Sequence, residues 1–230
     1  MSLNPEFDNF AVDYDDALNQ GLSVSGEDKN YFARGRIRWT ARCLKRFGIE
    51  AQSVHDFGCG TGTATPFFYE AFAGLREVLG TDVSARSLEV ATKHFGQRAK
   101  FTVMDEYKPD GRFDLVYCNG VFHHIPLDQR QASARYIYDC LRPGGFFAMW
   151  ENNPWNPATR YVMSRIPFDR DAITLSPPTA RRLMREVGFE VLKTSYLFIF
   201  PRLLKWLRPL ERLAAGMPLG TQYMVLCRKS

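Results

Sequence analysis

The sequence predicts an α/β domain built around a mainly parallel sheet. Strand-like apolar segments alternate with helical segments from residue 53 to residue 151, which is typical of right-handed β–α–β crossovers. Acidic or polar residues end several of these strands, and a glycine-rich run follows the first. With 230 residues and 45% hydrophobic side chains, the chain has the size and composition of one globular domain.

The order of the elements follows from hydrophobic patterning and from turn and cap residues. The predicted strands are 54–57, 76–82, 100–104, 113–119, 146–150, 189–200 and 221–228. Helices are expected at 8–47 with a break near 21–26, and at 62–73, 84–94, 128–141 and 179–187. Ser84 is a suitable N-terminal cap and Gly188 a suitable helix end. Because prolines recur in 152–178, we expect a structured loop there.

The glycine-rich turn reads Asp56-Phe57-Gly58-Cys59-Gly60-Thr61-Gly62. Glycine adopts positive φ and lets a ligand approach the backbone closely, and Thr61 or Thr63 would begin the next helix. A dinucleotide fingerprint would place its third glycine one residue later. The spacing therefore favours another nucleoside cofactor over a nicotinamide dinucleotide.

Further motifs follow this turn in a characteristic order. Asp82 ends the second strand about twenty residues after the turn, where a carboxylate can accept hydrogen bonds from both ribose hydroxyls. Asp105 ends the third strand, Asn119-Gly120 ends the fourth, and Leu141-Arg142-Pro143-Gly144-Gly145 precedes the fifth. Over residues 50–151 this series resembles the motifs of the class I S-adenosylmethionine (SAM) dependent methyltransferases.

The resemblance implies a Rossmann-like seven-stranded methyltransferase sheet, mostly parallel with an antiparallel last strand, and helices on both faces. It implies SAM as the cofactor and S-adenosylhomocysteine as the product. A single domain, 1–230, would comprise an N-terminal helical lid (1–50), a SAM-binding core (51–151) and a substrate side (152–230). The residues it assigns to the cofactor are Tyr14, Arg34, Asp56, Gly58, Cys59, Gly60, Gly62, Asp82, Val83, Asp105, Glu106, Asn119 and Gly120.

The roles within this set also come from the resemblance. Asp56 and the glycine turn would hold the methionine part, Asp82 the ribose, and Asp105 with the Glu106 backbone the adenine. Asn119 and Gly120 would lie near the sulfonium. In this family an early aromatic residue or arginine closes over the cofactor, and the sequence does not choose among Tyr14, Tyr31 and Arg34.

The candidate catalytic residues are His123, His124 and Glu151. Methyl transfer needs the acceptor atom about 3 Å from the methyl group and in line with the sulfur, and a base only if the acceptor is a neutral hydroxyl. His123 and His124 follow the fourth strand and Glu151 ends the fifth, both on the ligand side of the sheet. Alternatively, the histidines hold the turn before Pro126. The run 151–157 is either a substrate wall or a proline-ordered turn.

Charge is distributed unevenly along the chain. Residues 1–150 carry 17 basic and 19 acidic side chains, whereas residues 151–230 carry 13 basic and 6 acidic. A basic region near the site favours an anionic or lipid-linked acceptor. Alternatively, these basic side chains only keep exposed helices hydrated.

An apolar series in the predicted helical insertion 201–220 follows helical spacing among basic residues. Its members are Leu203, Trp206, Leu207, Leu210, Leu213 and Ala214. Such a helix lies in a membrane interface, or it packs on its own domain or on a partner subunit. Pro209 would kink or split it.

Other classes of function are disfavoured. No stretch approaches the roughly 20 apolar residues of a membrane span, no signal peptide is visible, and five scattered cysteines lack metal-site spacing. We therefore expect a cytoplasmic protein with no metal. Base-modifying amino methyltransferases resemble each other in an Asn/Asp-Pro-Pro-aromatic motif, but here the run is Asn119-Gly120-Val121-Phe122. No RNA-binding module precedes the domain.

The leading interpretation is a monomeric or homodimeric enzyme that methylates an oxygen or nitrogen atom of a small molecule, without a nucleic-acid partner. The segments 151–154 and 218–223 resemble, more loosely, a subgroup of such proteins with no assigned acceptor. Two alternatives stay open. One is a protein that binds SAM without transferring its methyl group, and the other is an NAD-dependent oxidoreductase.

Overall fold

The computed structural model of the protein describes residues 25–166 and 172–230, centred on a seven-stranded sheet in the order β3-β2-β1-β4-β5-β7-β6. Strands β1 to β5 pair in parallel, and β7 runs antiparallel to its neighbours β5 and β6. This confirms the predicted Rossmann-like sheet. The strands are β1 (Ser53–Phe57), β2 (Glu77–Asp82), β3 (Lys100–Val103), β4 (Phe113–Asn119), β5 (Leu141–Asn152), β6 (Phe189–Leu197) and β7 (Gln222–Lys229).

Helices pack around this sheet. In the described residues they are α1 (Lys29–Arg46), α2 (Thr65–Ala71), α3 (Ala85–Phe95), α4 (Arg130–Cys140), α5 (Pro157–Arg165), α6 (Pro177–Val187) and α7 (Glu211–Ala214). Ser84 caps α3 by accepting a hydrogen bond from the Ser87 N–H, and Gly188 ends α6 at a φ of 109°, both as predicted. The part of the predicted first helix before residue 25, and Tyr14 with it, lies outside the described residues.

Strand β5 shows how the core forms on both faces of the sheet. Its residues from Phe146 to Trp150 are all buried, although successive side chains point to opposite faces. Phe146, Ala148 and Trp150 belong to the core cluster that contains residues of α1 and α2. Phe147 and Met149 belong to the cluster that contains residues of α4 and α6. Because helices cover both faces, the strand is apolar throughout rather than alternating.

Two predicted element boundaries were wrong. Helix α2 begins at Thr65 after Ala64, not at Thr61 or Thr63. Strand β6 ends at Leu197 rather than at residue 200, because Phe198 adopts a φ of 64°, which a strand cannot continue.

The proline-rich segment expected to be a loop contains helix α5. Asn156 caps it by accepting hydrogen bonds from the N–H groups of Ala158 and Thr159, and Pro157 occupies the first turn. Proline there sacrifices no helical hydrogen bond and already has the required φ, so it starts this helix instead of preventing one.

The insertion 201–220 is less regular than the predicted amphipathic helix. Residues Arg202–Leu210 form 3₁₀ turns interrupted at Leu204, whose φ is −105°, and Pro209 lies within them. Only the four residues of α7 are α-helical. Proline has no N–H to donate, so Pro209 makes no helical hydrogen bond in this segment. Among the described helices, none combines the length and the apolar character that crossing a bilayer would require.

Candidate active site

The carboxyl ends of β1, β2, β4 and β5 meet at one edge of the sheet, and the glycine turn lies there. Gly58, Gly60 and Gly62 all have positive φ, between 52° and 73°. A Cβ added to Gly58 would lie 2.3 Å from Val121 Cγ2, whereas one added to Gly60 would meet no atom within 4 Å. Gly58 is therefore required for packing, while Gly60 faces open space in which a ligand can approach the backbone.

Asp82 connects the glycine turn to the start of α3. One carboxylate oxygen accepts a hydrogen bond from the Gly60 N–H at 2.8 Å, and the other accepts from the Ser84 N–H at 2.9 Å. Each oxygen of an ionised carboxylate can accept a second hydrogen bond. The same side chain can thus order the turn and still accept from a diol such as a ribose.

Asp56 lies beneath the turn at the end of β1 and is only 3% exposed. Burial, followed by the nearby Asp82 charge, raises the pKa of its carboxyl to about 7, with Arg36 partly opposing both effects. Burial, aided by the charges of Asp56 and Asp82, also raises the pKa of the Cys59 thiol well above its usual range. Cys59 is therefore a neutral thiol in the wall of the site rather than a nucleophile.

The predicted adenine-side residues lie at the end of β3. Asp105 and Glu106 belong to a 3₁₀ turn, Met104–Glu106, and both are exposed. Val103 pairs in register with Asp82 of β2, which brings this turn beside Asp82, the predicted ribose-binding residue. Val83 follows Asp82 and is half-buried. The glycine turn, Asp82 and this 3₁₀ turn therefore follow one another along the carboxyl ends of β1, β2 and β3, and we call this row the predicted cofactor groove.

A cavity of about 310 Å³ lies beside Asn119 and Gly120, which form part of its wall. This volume is at the lower end of the range for small-molecule sites. Most of its lining is apolar and comes from α1, α5 and the segment after β6. The apolar residues that line it include Tyr31, Phe32, Val162, Met163, Ile166, Phe198, Ile199 and Phe200.

His123, which lies in the wall of this cavity, forms a buried hydrogen-bonded pair with Glu151. His123 Nδ1 lies 2.6 Å from Glu151 Oε2, and the side chains are 2% and 1% exposed. The other carboxylate oxygen of Glu151 accepts a hydrogen bond from the Phe122 N–H at 2.8 Å. A carboxylate on Nδ1 favours the tautomer with its proton there, so that Nε2 is the basic nitrogen.

His124 also lines the cavity, and its ring centroid lies 4.1 Å from that of His123. The structure thus brings the three predicted catalytic residues together at the carboxyl ends of β4 and β5. The alternative role, holding the turn before Pro126, is compatible with the backbone hydrogen bond from the His124 N–H to the Val121 carbonyl. That bond uses no histidine side chain.

The candidates for closing over the cofactor occupy different places. Tyr31 lines the cavity. Arg34 instead forms an ion pair with Glu70 at 3.0 Å and lies over the Phe67 ring, outside the cavity wall. Tyr14 lies outside the described residues, so its role remains a prediction.

Arg36 is a cavity residue that the sequence interpretation missed. It is 8% exposed, donates from Nε to the Tyr117 hydroxyl at 3.1 Å, and donates from Nη1 to the Gln222 side-chain oxygen at 2.9 Å. A guanidinium carries five N–H donors, so these two bonds leave further donors at the cavity wall. The sequence feature that could have identified Arg36 is its position in α1, at helical spacing from Phe32 and Thr40. This spacing places it on the buried face of the helix.

The described residues that line the cavity carry more positive than negative charge. Lys29, Arg36 and Arg208 face a single carboxylate, that of Glu27. Glu27 pairs with Arg208 at 2.9 Å, and the Arg208 guanidinium stacks on the Tyr31 ring 4.5 Å from its centroid. An anionic group entering the cavity would therefore meet a net positive wall.

The polar run 151–157 contributes to the cavity wall and also contacts the segment 218–220. Asn152 lines the cavity, as a substrate wall requires. Asn153 donates to the carbonyls of Pro218 and Gly220, and Asn156 donates to that of Leu219. The two segments that resemble a methyltransferase subgroup are therefore in direct contact. In the described part of the chain, no group of three or more His, Cys, Asp or Glu side chains is arranged to hold a metal ion.

Comparison with known proteins identifies relatives of this chain. Residues 54–145 match the family model of a methyltransferase domain. The chain is 30% identical over 141 residues to a trans-aconitate 2-methyltransferase of Delftia acidovorans, covering 59% of this chain and 51% of that relative. It is 24% identical over 217 residues to a ubiquinone biosynthesis O-methyltransferase of Leptothrix cholodnii, covering 84% of each. The chain thus spans about half the length of the first relative.

A solved structure has the same fold. It is a SAM-dependent methyltransferase of Thermotoga maritima, described as a possible histamine N-methyltransferase, with a TM-score of 0.66 and 20% identity. The match covers 97% of this chain and 98% of that one. The names of the sequence relatives refer to trans-aconitate in one case and ubiquinone biosynthesis in the other. The names of these relatives therefore do not fix the acceptor.

Proposed function

Because the chain belongs to the class I SAM-dependent methyltransferases, we propose that it transfers a methyl group from SAM to an oxygen or nitrogen atom of a small molecule. The observation that carries this proposal is the junction at Asn119 and Gly120. They lie at the end of β4, which pairs with β1 beside the predicted cofactor groove, and they also form part of the wall of the predominantly apolar cavity. A donor in the groove and an acceptor in the cavity would meet there.

The residues of the groove fit SAM. Gly60 offers open space beside the backbone, Asp82 retains acceptor capacity for the ribose, and Asp56 places a buried carboxyl where an ammonium group would be stabilised. Asp105 and the Glu106 backbone hold the adenine. When bound, SAM supplies a methyl group already activated by the sulfonium charge. The protein's main contribution is therefore to position the acceptor in line with the departing sulfur.

The acceptor is a small amphipathic molecule with an anionic group. Its apolar body packs against the aromatic and aliphatic wall, and its anionic group binds Arg36, whose planar guanidinium suits carboxylates and phosphates. For a hydroxyl acceptor, His123 accepts the proton at Nε2, and Glu151 keeps its ring in the required tautomer. Glu151 is then a positioning residue. His124 contributes to the cavity wall.

Calorimetric titration with SAM, S-adenosylhomocysteine and NAD, followed by methyl transfer from radiolabelled SAM to a panel of acceptors, tests this function. We expect SAM and its product to bind, NAD not to bind, and amphipathic carboxylic acids to be methylated before their neutral amides. Binding of NAD alone would indicate the oxidoreductase. SAM binding without transfer to any member of a panel of hydroxyl, carboxyl and amine acceptors would indicate the non-catalytic SAM-binding protein.

The raised pKa of Asp56 predicts that SAM affinity depends on pH. With a pKa of about 7 in the cofactor-free protein, this carboxyl is mostly protonated below that pH. An adjacent ammonium group favours the carboxylate, so binding releases a proton and affinity falls as the pH falls. We expect SAM binding to weaken by up to about tenfold per unit between pH 7 and about pH 5, a window in which the cofactor amine stays charged.

Calorimetry at about pH 6 in two buffers of different ionisation enthalpy measures the proton released on binding. Asp56→Asn is the control, because its amide has no proton to release, and its affinity should be lower but nearly independent of pH. An identical pH dependence in wild type and Asp56→Asn would assign the effect to another group.

A further inference from the structure

One surface of the molecule combines large exposed apolar side chains with basic ones. Leu203, Trp206, Leu210 and Leu213 are 87%, 71%, 50% and 85% exposed, and Lys205 and Arg212 are exposed on the same segment. We call these six residues the basic apolar surface. Large apolar side chains exposed together in this way mark a surface as a site of association.

The exposure of these side chains bears on whether the apolar series packs on its own domain, a question that the sequence left open. Packing of this apolar series on its own domain would have buried Leu203, Trp206 and Leu213, and the described residues do not cover them. The 3₁₀ conformation contributes to this, because side chains three residues apart align on one side of such a helix. The interval from Leu203 to Trp206 has that spacing.

The charge of the surface is uniformly positive. The segment 201–220 contains four basic residues and one acid, Glu211. Glu211 is buried, and one of its oxygens accepts hydrogen bonds from the N–H groups of Ile199 and Phe200. Its charge is therefore directed into the protein. Lys205 and Arg212 remain on the outside beside the apolar side chains, which complements an anionic partner.

The surface is also fixed relative to the cavity. Arg208 pairs with Glu27, Arg202 donates to the Gly26 carbonyl, and Glu211 binds the backbone after β6. These bonds attach the segment to the start of α1 and to the residues that line the cavity. Pro201 and Arg208 belong both to this segment and to the cavity wall. A partner on the basic apolar surface would therefore lie next to the cavity.

We propose that the basic apolar surface docks on the surface of an anionic lipid bilayer. Leucines and a tryptophan enter the boundary between headgroups and acyl chains, and Lys205 and Arg212 contact anionic headgroups. The charge favours this occupant over a second copy of the chain, because two copies would juxtapose like charges. Docking requires no methyl transfer, so it stands or fails independently of the proposed function. It would present the cavity to molecules held in the membrane.

Co-sedimentation of the full chain with lipid vesicles tests the proposal. We expect binding to vesicles of phosphatidylcholine mixed with phosphatidylglycerol, little binding to phosphatidylcholine alone, and weakening by salt. The pair Lys205→Glu and Arg212→Glu should lower the vesicle partition coefficient by at least about tenfold. The pair Trp206→Ser and Leu213→Ser should do the same. Trp206 fluorescence should shift to shorter wavelength on binding, and Trp206→Phe should remove that shift.

Matched changes elsewhere serve as controls. Lys45→Glu with Lys93→Glu alters the net charge equally at exposed positions on α1 and α3, and Leu127→Ser removes another exposed leucine. These variants should retain vesicle binding apart from a small uniform loss. Failure of the wild type to bind anionic vesicles, or equal losses in the controls, would overturn the proposal. Conversion of a dimer to a monomer by the surface variants, with vesicle binding unchanged, would assign the surface to a subunit interface.

Discussion

Replacing His123 with alanine is expected to lower kcat for a hydroxyl acceptor by about 10²- to 10⁴-fold, the usual contribution of a positioned general base. His123 lies in the cavity wall, and Glu151 binds its Nδ1 at 2.6 Å. Loss of the imidazole removes the proposed acceptor of the hydroxyl proton. SAM binding should change little, because the groove uses Asp56, Asp82 and the glycine turn instead.

Several measurements separate this role from a structural one. The acid limb of the pH–rate profile should disappear in His123→Ala, and added imidazole should restore part of the rate. Glu151→Gln should retain the fold but lower kcat to a similar extent. Its amide oxygen accepts from the Phe122 N–H, so its NH2 group donates to Nδ1 and favours the tautomer that is protonated at Nε2. His94→Ala, on the exposed face of α3, is the matched control.

An unchanged kcat in His123→Ala would show that the acceptor needs no base. An ionised carboxylate or an unprotonated amine would give that result. A loss of SAM affinity or of thermal stability in parallel with kcat, without rescue by imidazole, would instead identify His123 as a residue that holds the turn after β4.

Asp82→Ala is expected to weaken SAM binding by about 100-fold. Two hydrogen bonds from ribose hydroxyls to a carboxylate contribute about 1.5 kcal/mol or more each, which together correspond to a factor of this size. The substitution also frees the Gly60 and Ser84 N–H groups that the carboxylate accepts from at 2.8 and 2.9 Å. The glycine turn therefore loses a restraint in addition to the ligand contacts.

Calorimetric titration with SAM and S-adenosylhomocysteine measures this effect. Asp82→Asn keeps the shape and one acceptor oxygen, so it should bind more tightly than Asp82→Ala and more weakly than the wild type. Asp128→Ala, in the turn before α4, is the control for the loss of an acidic side chain. Equal affinities of wild type and Asp82→Ala would remove Asp82 from the proposed cofactor site.

Local and periodic features of the sequence were sufficient for the fold. The apolar strands, Ser84 as a cap and Gly188 as a stop each act over a few residues, so the chain itself encodes them. The parallel arrangement follows from the alternation of strands and helices, which also brings the ends of β1, β2 and β4 to one edge. Sequence order therefore predicted that Asp56, Asp82 and Asn119 lie on the same side of the sheet.

Prolines and helix ends were predicted less well, because their effect depends on context. Pro157 starts a helix, since Asn156 precedes it as a cap, whereas Pro209 lies within 3₁₀ turns whose interruption is at Leu204. Phe198 ends β6 because its φ is positive, a conformation that a phenylalanine in a sequence does not predict. Such conformations are stabilised by the packing of neighbouring segments, here the contact of Phe198 with Tyr31 and Phe32.

The sequence by itself determined the sheet, the glycine turn and the strand-end acids, because these depend on short-range patterning. Only the tertiary structure decided which side chains share the cavity. Arg36 enters it and Arg34 does not, since helix α1 presents positions two residues apart to different surroundings. The pairing of His123 with Glu151 joins two strand ends, and the exposure of Leu203, Trp206 and Leu213 depends on what covers them. Both are long-range outcomes of packing.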